Sequence, residues 1–163
     1  MSEKRFAVTV EVNGKPRTGD VPARLSLVDW LRDELRLTGT HVGCEHGVCG
    51  ACSVLLDGEP VRSCLIFAVQ ADGHRVTTVE GLANADGSPS VLQDSFCETH
   101  ALQCGYCTPG MLIATQALLN AVPRPTDAQL REAIGGNLCR CTGYQQIVDA
   151  IALASRRLSE GKA

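Results

Sequence analysis

Nine cysteines occur in this chain of 163 residues, and eight of them fall into two quartets. The first is Cys44-x4-Cys49-x2-Cys52-x11-Cys64. Three closely spaced thiolates on a loop can wrap a small inorganic cluster, and a distant fourth can close it. The x4-x2 run with a remote fourth cysteine is the spacing of a 2Fe–2S site. There, two irons share two sulfides, and each iron needs two more thiolates. Gly43 precedes the first of these ligands, and Gly47 and Gly50 lie between them. They let the backbone fold back closely and aim N–H groups at anionic sulfur. Zinc would favour C-x2-C pairs or mixed Cys/His sets. Cys44-Glu45-His46 could open a Rieske centre, in which two histidines replace two cysteines. The residue three positions beyond Cys64 is Phe67, however, so that centre lacks its second histidine, and His46 reads as a solvent-facing loop residue.

The second quartet is Cys104-x2-Cys107 with Cys139-x-Cys141. A redox dithiol of the C-x2-C kind sits in a βαβ setting, which the surrounding sequence does not offer. Each pair precedes an expected helix, one starting at Pro109 and one at Tyr144. Two helix N-termini facing one anionic centre make electrostatic sense. Spacing alone leaves both a four-thiolate cluster and zinc open here. Cys97 belongs to neither quartet and is expected as a small buried residue on a helix.

The elements that must position these residues differ between the two halves. Phe6 to Val12 alternates like a half-buried strand, and Asn13-Gly14 is a two-residue hairpin turn. A second strand is expected near Arg17 to Val21. Ser26 is a candidate cap for a helix over Leu27 to Leu35, with Trp30 as a core anchor. After the glycine-rich loop, Ser53 to Leu56, the turn Asp57-Gly58, a strand from Val61 and a closing strand over Arg75 to Val79 complete a small α+β domain. Beyond Glu80 the patterns turn helical, over Ser90 to His100, Pro109 to Ala121, Asp127 to Ile134 and Tyr144 to Leu158. Thr126-x-x-Gln129 reads as a capping box, and Thr142-x-x-Gln145 as a second one. The division falls at residues 1–80 and 81–163.

Bulk properties exclude several classes of function. Hydrophobic residues make up 44% and the net charge is −3, with scattered Lys and Arg, so nucleic acid is not expected as a partner. No run approaches the roughly 18 to 20 apolar residues of a membrane span. The charged start, Met1 to Phe6, lacks the form of a secretory signal, which makes the cytoplasm the expected location. A reducing compartment argues against nine cysteines serving as a disulfide framework. His41, His74 and His100 lack ligand spacing. No G-x-G-x-x-G or phosphate loop is present, and no acid–base pair can be placed, so substrate chemistry belongs to other chains.

Three segments together resemble the iron–sulfur subunit of the xanthine oxidase family of molybdenum hydroxylases. They are Gly43-Cys44-Glu45-His46-Gly47-Val48-Cys49-Gly50-Ala51-Cys52, Gln103-Cys104-Gly105-Tyr106-Cys107-Thr108-Pro109-Gly110 and Gly136-Asn137-Leu138-Cys139-Arg140-Cys141-Thr142-Gly143-Tyr144. The resemblance implies an N-terminal plant-type, ferredoxin-like β-grasp domain followed by a C-terminal four-helix bundle. It implies a first 2Fe–2S cluster on Cys44, Cys49, Cys52 and Cys64, and a second on Cys104, Cys107, Cys139 and Cys141. Gln103 and Cys141 would contact the molybdopterin, in its cytosine dinucleotide form. The implied partners are a large molybdenum subunit and a medium FAD subunit in a dimer of heterotrimers, with electrons passing from molybdenum through the C-terminal and then the N-terminal cluster to FAD. Ser63 to Ala71 is similar to members acting on carbon monoxide or N-heteroaromatics. The competing expectations are a zinc-binding structural protein and a free-standing ferredoxin.

Overall fold

A computed structural model describes residues 3–161, so Met1 and Ser2 of the charged start lie outside it. β1 (Arg5–Val12) and β2 (Lys15–Pro22) form an antiparallel hairpin through Asn13 and Gly14. Both turn residues have positive φ, 51° and 73°, as this two-residue turn requires. β3 (Ser53–Leu56) and β4 (Glu59–Arg62) form a second hairpin, and β5 (Arg75–Thr77) lies between the two. The sheet order is β2-β1-β5-β3-β4, with β5 parallel to β1 and antiparallel to β3. This is the expected mixed α+β, ferredoxin-like arrangement.

Val8, Val10 and Val12 alternate onto the buried face of β1, where they meet Leu27, Trp30, Leu31 and Val54. The helix over this sheet starts as α1 (Leu27–Asp29), with Ser26 Oγ accepting the Asp29 N–H at 3.1 Å. It does not continue as the regular α-helix expected to Leu35. Trp30–Glu34 widens into a π-helical turn closed by the Leu35 N–H on the Trp30 carbonyl. The wider turn seats the adjacent Trp30 and Leu31 together in the core.

The helical half holds α2 (Val91–Glu98), α3 (Thr108–Ala121), α4 (Asp127–Ile134) and α5 (Gln145–Ser159). α2 packs on α5, α3 on α4, and α4 on α5, while α3 also lies against β3 and β4. Thr126 forms the expected capping box, and so does Ser90 with Gln93. Thr142 does not cap α5. Gly143 and Tyr144 both turn through positive φ, so the helix starts at Gln145, and the Thr142 hydroxyl is spent elsewhere. Cys97 is exposed rather than buried. It follows Phe96, which fills the α2 core face with Leu92, and the next helical position points about 100° away. No helix among the described residues is long and apolar enough to cross a membrane.

Asn13 ties the sheet to the chain leading into the helices. Its side chain donates to Thr78 Oγ1 and accepts the Thr78 N–H, both at 2.9 Å. Trp30 is the bulkiest fully buried side chain under the sheet. Trp30→Ala should cost about 3–5 kcal/mol, read as a lower denaturant midpoint by far-UV circular dichroism. An unchanged midpoint would contradict its role as the core anchor.

Candidate metal centres

The first quartet sits on the loop between the π-helical turn and β3, with Cys64 in the 3-10 turn Ser63–Leu65 after β4. Glu45, Gly47 and Gly50 all take positive φ, which curls the loop around its cysteines. A Cβ on Gly47 would lie 2.5 Å from Leu65 Cδ1, the tip of an exposed side chain that can move, so the φ of 83° rather than space is what favours glycine here. The Cys49 N–H donates to Cys44 Sγ at 3.4 Å. That contact, with the N–H groups of His46 and Val48, pulls the Cys44 thiol down to about 6. The loop thus forms the N–H nest that an anionic sulfur requires. Burial raises Cys49, and it pushes Cys64 up to about 11, helped by the neighbouring Cys52. His46 is exposed, and its Nδ1–H donates to the Cys44 carbonyl.

The second quartet is assembled from two loops. Cys107 immediately precedes α3, and Cys139 and Cys141 lie in the turn before α5. The Cys104 and Cys141 sulfurs stand 3.5 Å apart, and both residues are exposed. Cys107 hydrogen-bonds Cys139 on the inner side, where burial pushes its thiol up to about 12. Burial would also raise Cys139, but the hydroxyl and N–H of Thr142 outweigh it and leave this thiol lowered. Thr142 Oγ1 lies 3.1 Å from Cys139 Sγ, which is where the supposed helix cap is spent. Tyr144, singled out beforehand only as a helix start, pins the same turn. Its hydroxyl accepts the Cys139 N–H at 2.8 Å and donates to the Asn137 carbonyl at 3.3 Å. A cavity of about 270 Å³ opens among these four cysteines and reaches Gly43 and Cys49 of the first loop.

The thiols gather in twos. Side-chain contacts join Cys44 to Cys49, Cys52 to Cys64, Cys104 to Cys141 and Cys107 to Cys139. Among the described residues, no three His, Cys, Asp or Glu side chains surround a single ion-sized point. One zinc draws four sulfurs to about 2.3 Å from a common centre. A 2Fe–2S rhombus instead places two thiolates on each of two irons, and the paired donors fit that shape. Thr108 Oγ1, directly after Cys107, is buried and has no hydrogen-bond partner, which suits a polar group added beside it. All nine cysteines are free thiols. Gln103 is exposed at the outer rim, next to Cys104.

A dense seam joins the two sites. The Leu138 N–H donates to the Cys49 carbonyl at 2.8 Å, and Asn137 Nδ2 donates to the Gly50 carbonyl at 3.0 Å. On the far side of the loop the Tyr106 hydroxyl donates to the Val42 carbonyl at 2.5 Å. His41 stacks on the Tyr106 ring with centroids 4.7 Å apart, and its Nδ1–H donates to the Tyr106 carbonyl at 2.9 Å. His74, by contrast, pairs with Asp57 away from both sites.

Comparison with known proteins yields two family models. A "2Fe-2S iron-sulfur cluster binding domain" matches residues 10–83, and a "[2Fe-2S] binding domain" matches residues 78–152. The caffeine dehydrogenase subunit gamma of Pseudomonas sp. (strain CBB1) is 56% identical over 91% of this chain and 90% of its own. The nicotine 6-hydroxylase small subunit of Paenarthrobacter nicotinovorans is 55% identical over 90% of this chain and 88% of its own. Among solved structures, a chain of quinoline 2-oxidoreductase from Pseudomonas putida 86 superposes with a TM-score of 0.93 at 47% identity, covering 99% of this chain and 100% of that one.

The closeness of the seam rests on one small residue in particular. A Cβ on Gly110 would stand 2.3 Å from the Gly50 carbonyl oxygen and 2.8 Å from Asn137 Nδ2. Gly110→Ala should therefore force the loops apart and cost about 1–3 kcal/mol, measured as a lower denaturant midpoint. A midpoint equal to that of the parent would show that the seam yields freely.

Proposed function

The chain belongs to the small iron–sulfur subunits of the xanthine oxidase family of molybdenum hydroxylases, and on that premise we propose how its residues serve the complex. It is an electron-transfer subunit of an oxidoreductase, and substrate chemistry takes place in a partner chain. We assign residues 1–80 to the domain of the first cluster and 81–163 to that of the second. Cys44, Cys49, Cys52 and Cys64 hold one 2Fe–2S cluster, and Cys104, Cys107, Cys139 and Cys141 hold the other. Each cluster, when bound, accepts and passes on a single electron.

The observation that carries this reading is the arrangement of the eight thiols in four pairs, with a backbone hydrogen bond joining the two loops. The Cys49 carbonyl accepts from Leu138, and Leu138 is bonded directly to Cys139. The two donor sets are therefore connected by one hydrogen bond and a few covalent bonds. Exposure of Cys104, Cys141 and Gln103 on one rim supports the view that this rim meets the molybdopterin, with Gln103 and Cys141 as its contacts. The first loop then faces the opposite partner, an FAD subunit. Electrons would travel from the molybdopterin, in its cytosine dinucleotide form, to FAD within a dimer of heterotrimers in the cytoplasm. Because related subunits come from enzymes named for caffeine, nicotine and quinoline, we assign an N-heterocyclic substrate to the complex.

Native purification with metal analysis and low-temperature EPR tests this reading. The expected result is about four irons per chain and two distinct 2Fe–2S signals after reduction. Cys64→Ser should perturb only one signal, and Cys141→Ser only the other. Stoichiometric zinc, or a single type of cluster, would overturn the assignment. Recovery of the small chain alone would favour a free-standing ferredoxin.

A further inference from the structure

Arg62 ends β4 at the point where the two cysteine sites meet. Its Nη1 donates to Ser53 Oγ at 2.6 Å, and its Nη2 donates to the Gly136 carbonyl at 2.6 Å and to Asn137 Oδ1 at 3.4 Å. Ser53 follows Cys52 directly, and Ser63, the neighbour of Arg62, donates its hydroxyl to the Cys52 carbonyl at 2.6 Å. On the other side, Gly136 and Asn137 lead into Cys139. One guanidinium thus bridges the Ser53 side chain, next to Cys52, and the Gly136–Asn137 segment that leads to Cys139. The guanidinium approaches this loop closely: a Cβ on Gly136 would stand 2.7 Å from Nη2.

Among the described residues, no carboxylate forms an ion pair with this group, and the ion pairs involve other arginines and a histidine. Glu59 lines the same groove, with Ala114 and Ala133, but makes no bond to the guanidinium. Arg62 is half-buried, so its field is screened less than that of a surface residue. A mere clamp would need only donors. A permanently charged one, held between the segments that carry Cys52 and Cys139, has an electrostatic consequence as well.

We propose that Arg62 is a positioning residue that also poises the relay, its fixed charge favouring the electron-loaded form of the clusters on either side. The argument rests on the two-cluster reading above. An added electron brings one more negative charge next to the guanidinium, so the reduced form gains more from Arg62 than the oxidised form. No bond is made or broken, and the electron comes from the reaction of the complex itself.

Potentiometric titration of the purified holo-complex, followed by EPR, tests the proposal on the parent, R62M, R62K and A133E. Iron content and the two signals of the parent are read first, since their absence would defeat the two-cluster reading rather than the role of Arg62. R62M should shift at least one cluster about tenfold toward the oxidised form at a fixed poise, about 59 mV for one electron. R62K should keep most of the parent poise, because it keeps the charge while losing the fork of donors. A133E places a carboxylate in the groove and spares the hydrogen bonds of Arg62. It should shift in the same direction as R62M, and it carries the test if R62M does not load its clusters. A titration of A133E or of loaded R62M within about twofold of the parent, or an R62K shift as large as that of R62M, overturns the proposal.

Discussion

The carbonyl of Cys49 finds its hydrogen-bond partner outside its own loop. The loop that curls around the first quartet spends its N–H groups on sulfur, and its carbonyls turn outward. That of Cys49 is taken up by Leu138, from the turn that carries the second quartet, and that of Gly50, already bonded by the Ser53 N–H and hydroxyl, also accepts Asn137 Nδ2 from the same turn. Buried polar groups without partners are costly, so each cysteine loop depends on the other to complete its hydrogen bonding. The glycines follow from this constraint. Gly50 and Gly110 approach each other so closely that either Cβ would collide with backbone or with Asn137. Tyr106 and His41 close the same seam from the far side of the loop.

Much of this architecture was legible because its causes are local. The first quartet lies on one loop, and its spacing alone describes the shape of the site. Asn13-Gly14 and Asp57-Gly58 announce hairpins through the φ values that their turns demand. Thr126 and Gln129 announce a helix start, because the reciprocal hydrogen bonds span three residues. The alternation of Val8, Val10 and Val12 gives the buried face of β1 directly.

What could not be read depends on contacts made across the chain. Cys107 and Cys139 meet only after α3 and α4 have folded back on each other, so the second quartet needed a family resemblance to be told from zinc by sequence alone. Thr142 carried the pattern of a helix cap, but its hydroxyl bonds Cys139 Sγ instead, and the left-handed turn at Gly143 and Tyr144 delays the helix. Cys97 follows the average burial of its residue type in sequence and departs from it in space, because Leu92 and Phe96 already take the core face of α2. Arg62 gave no signal at all. At the end of a short strand it looks like any solvated arginine, and only the approach of Gly136 reveals its second set of partners.

The same seam ties metal loading to folding. Each half of the chain has a thin core of its own, one under the sheet and one among four helices, and small cores of this kind leave little stability to spare. When a cluster ties thiolates into one rigid unit, the binding free energy becomes folding free energy. In this chain that gain does not stay in one half. Ordering the first loop fixes the acceptors for Leu138 and Asn137, and ordering the second fixes the donors. Loading at one quartet therefore steadies the backbone beside the other, while each cluster keeps its own four ligands.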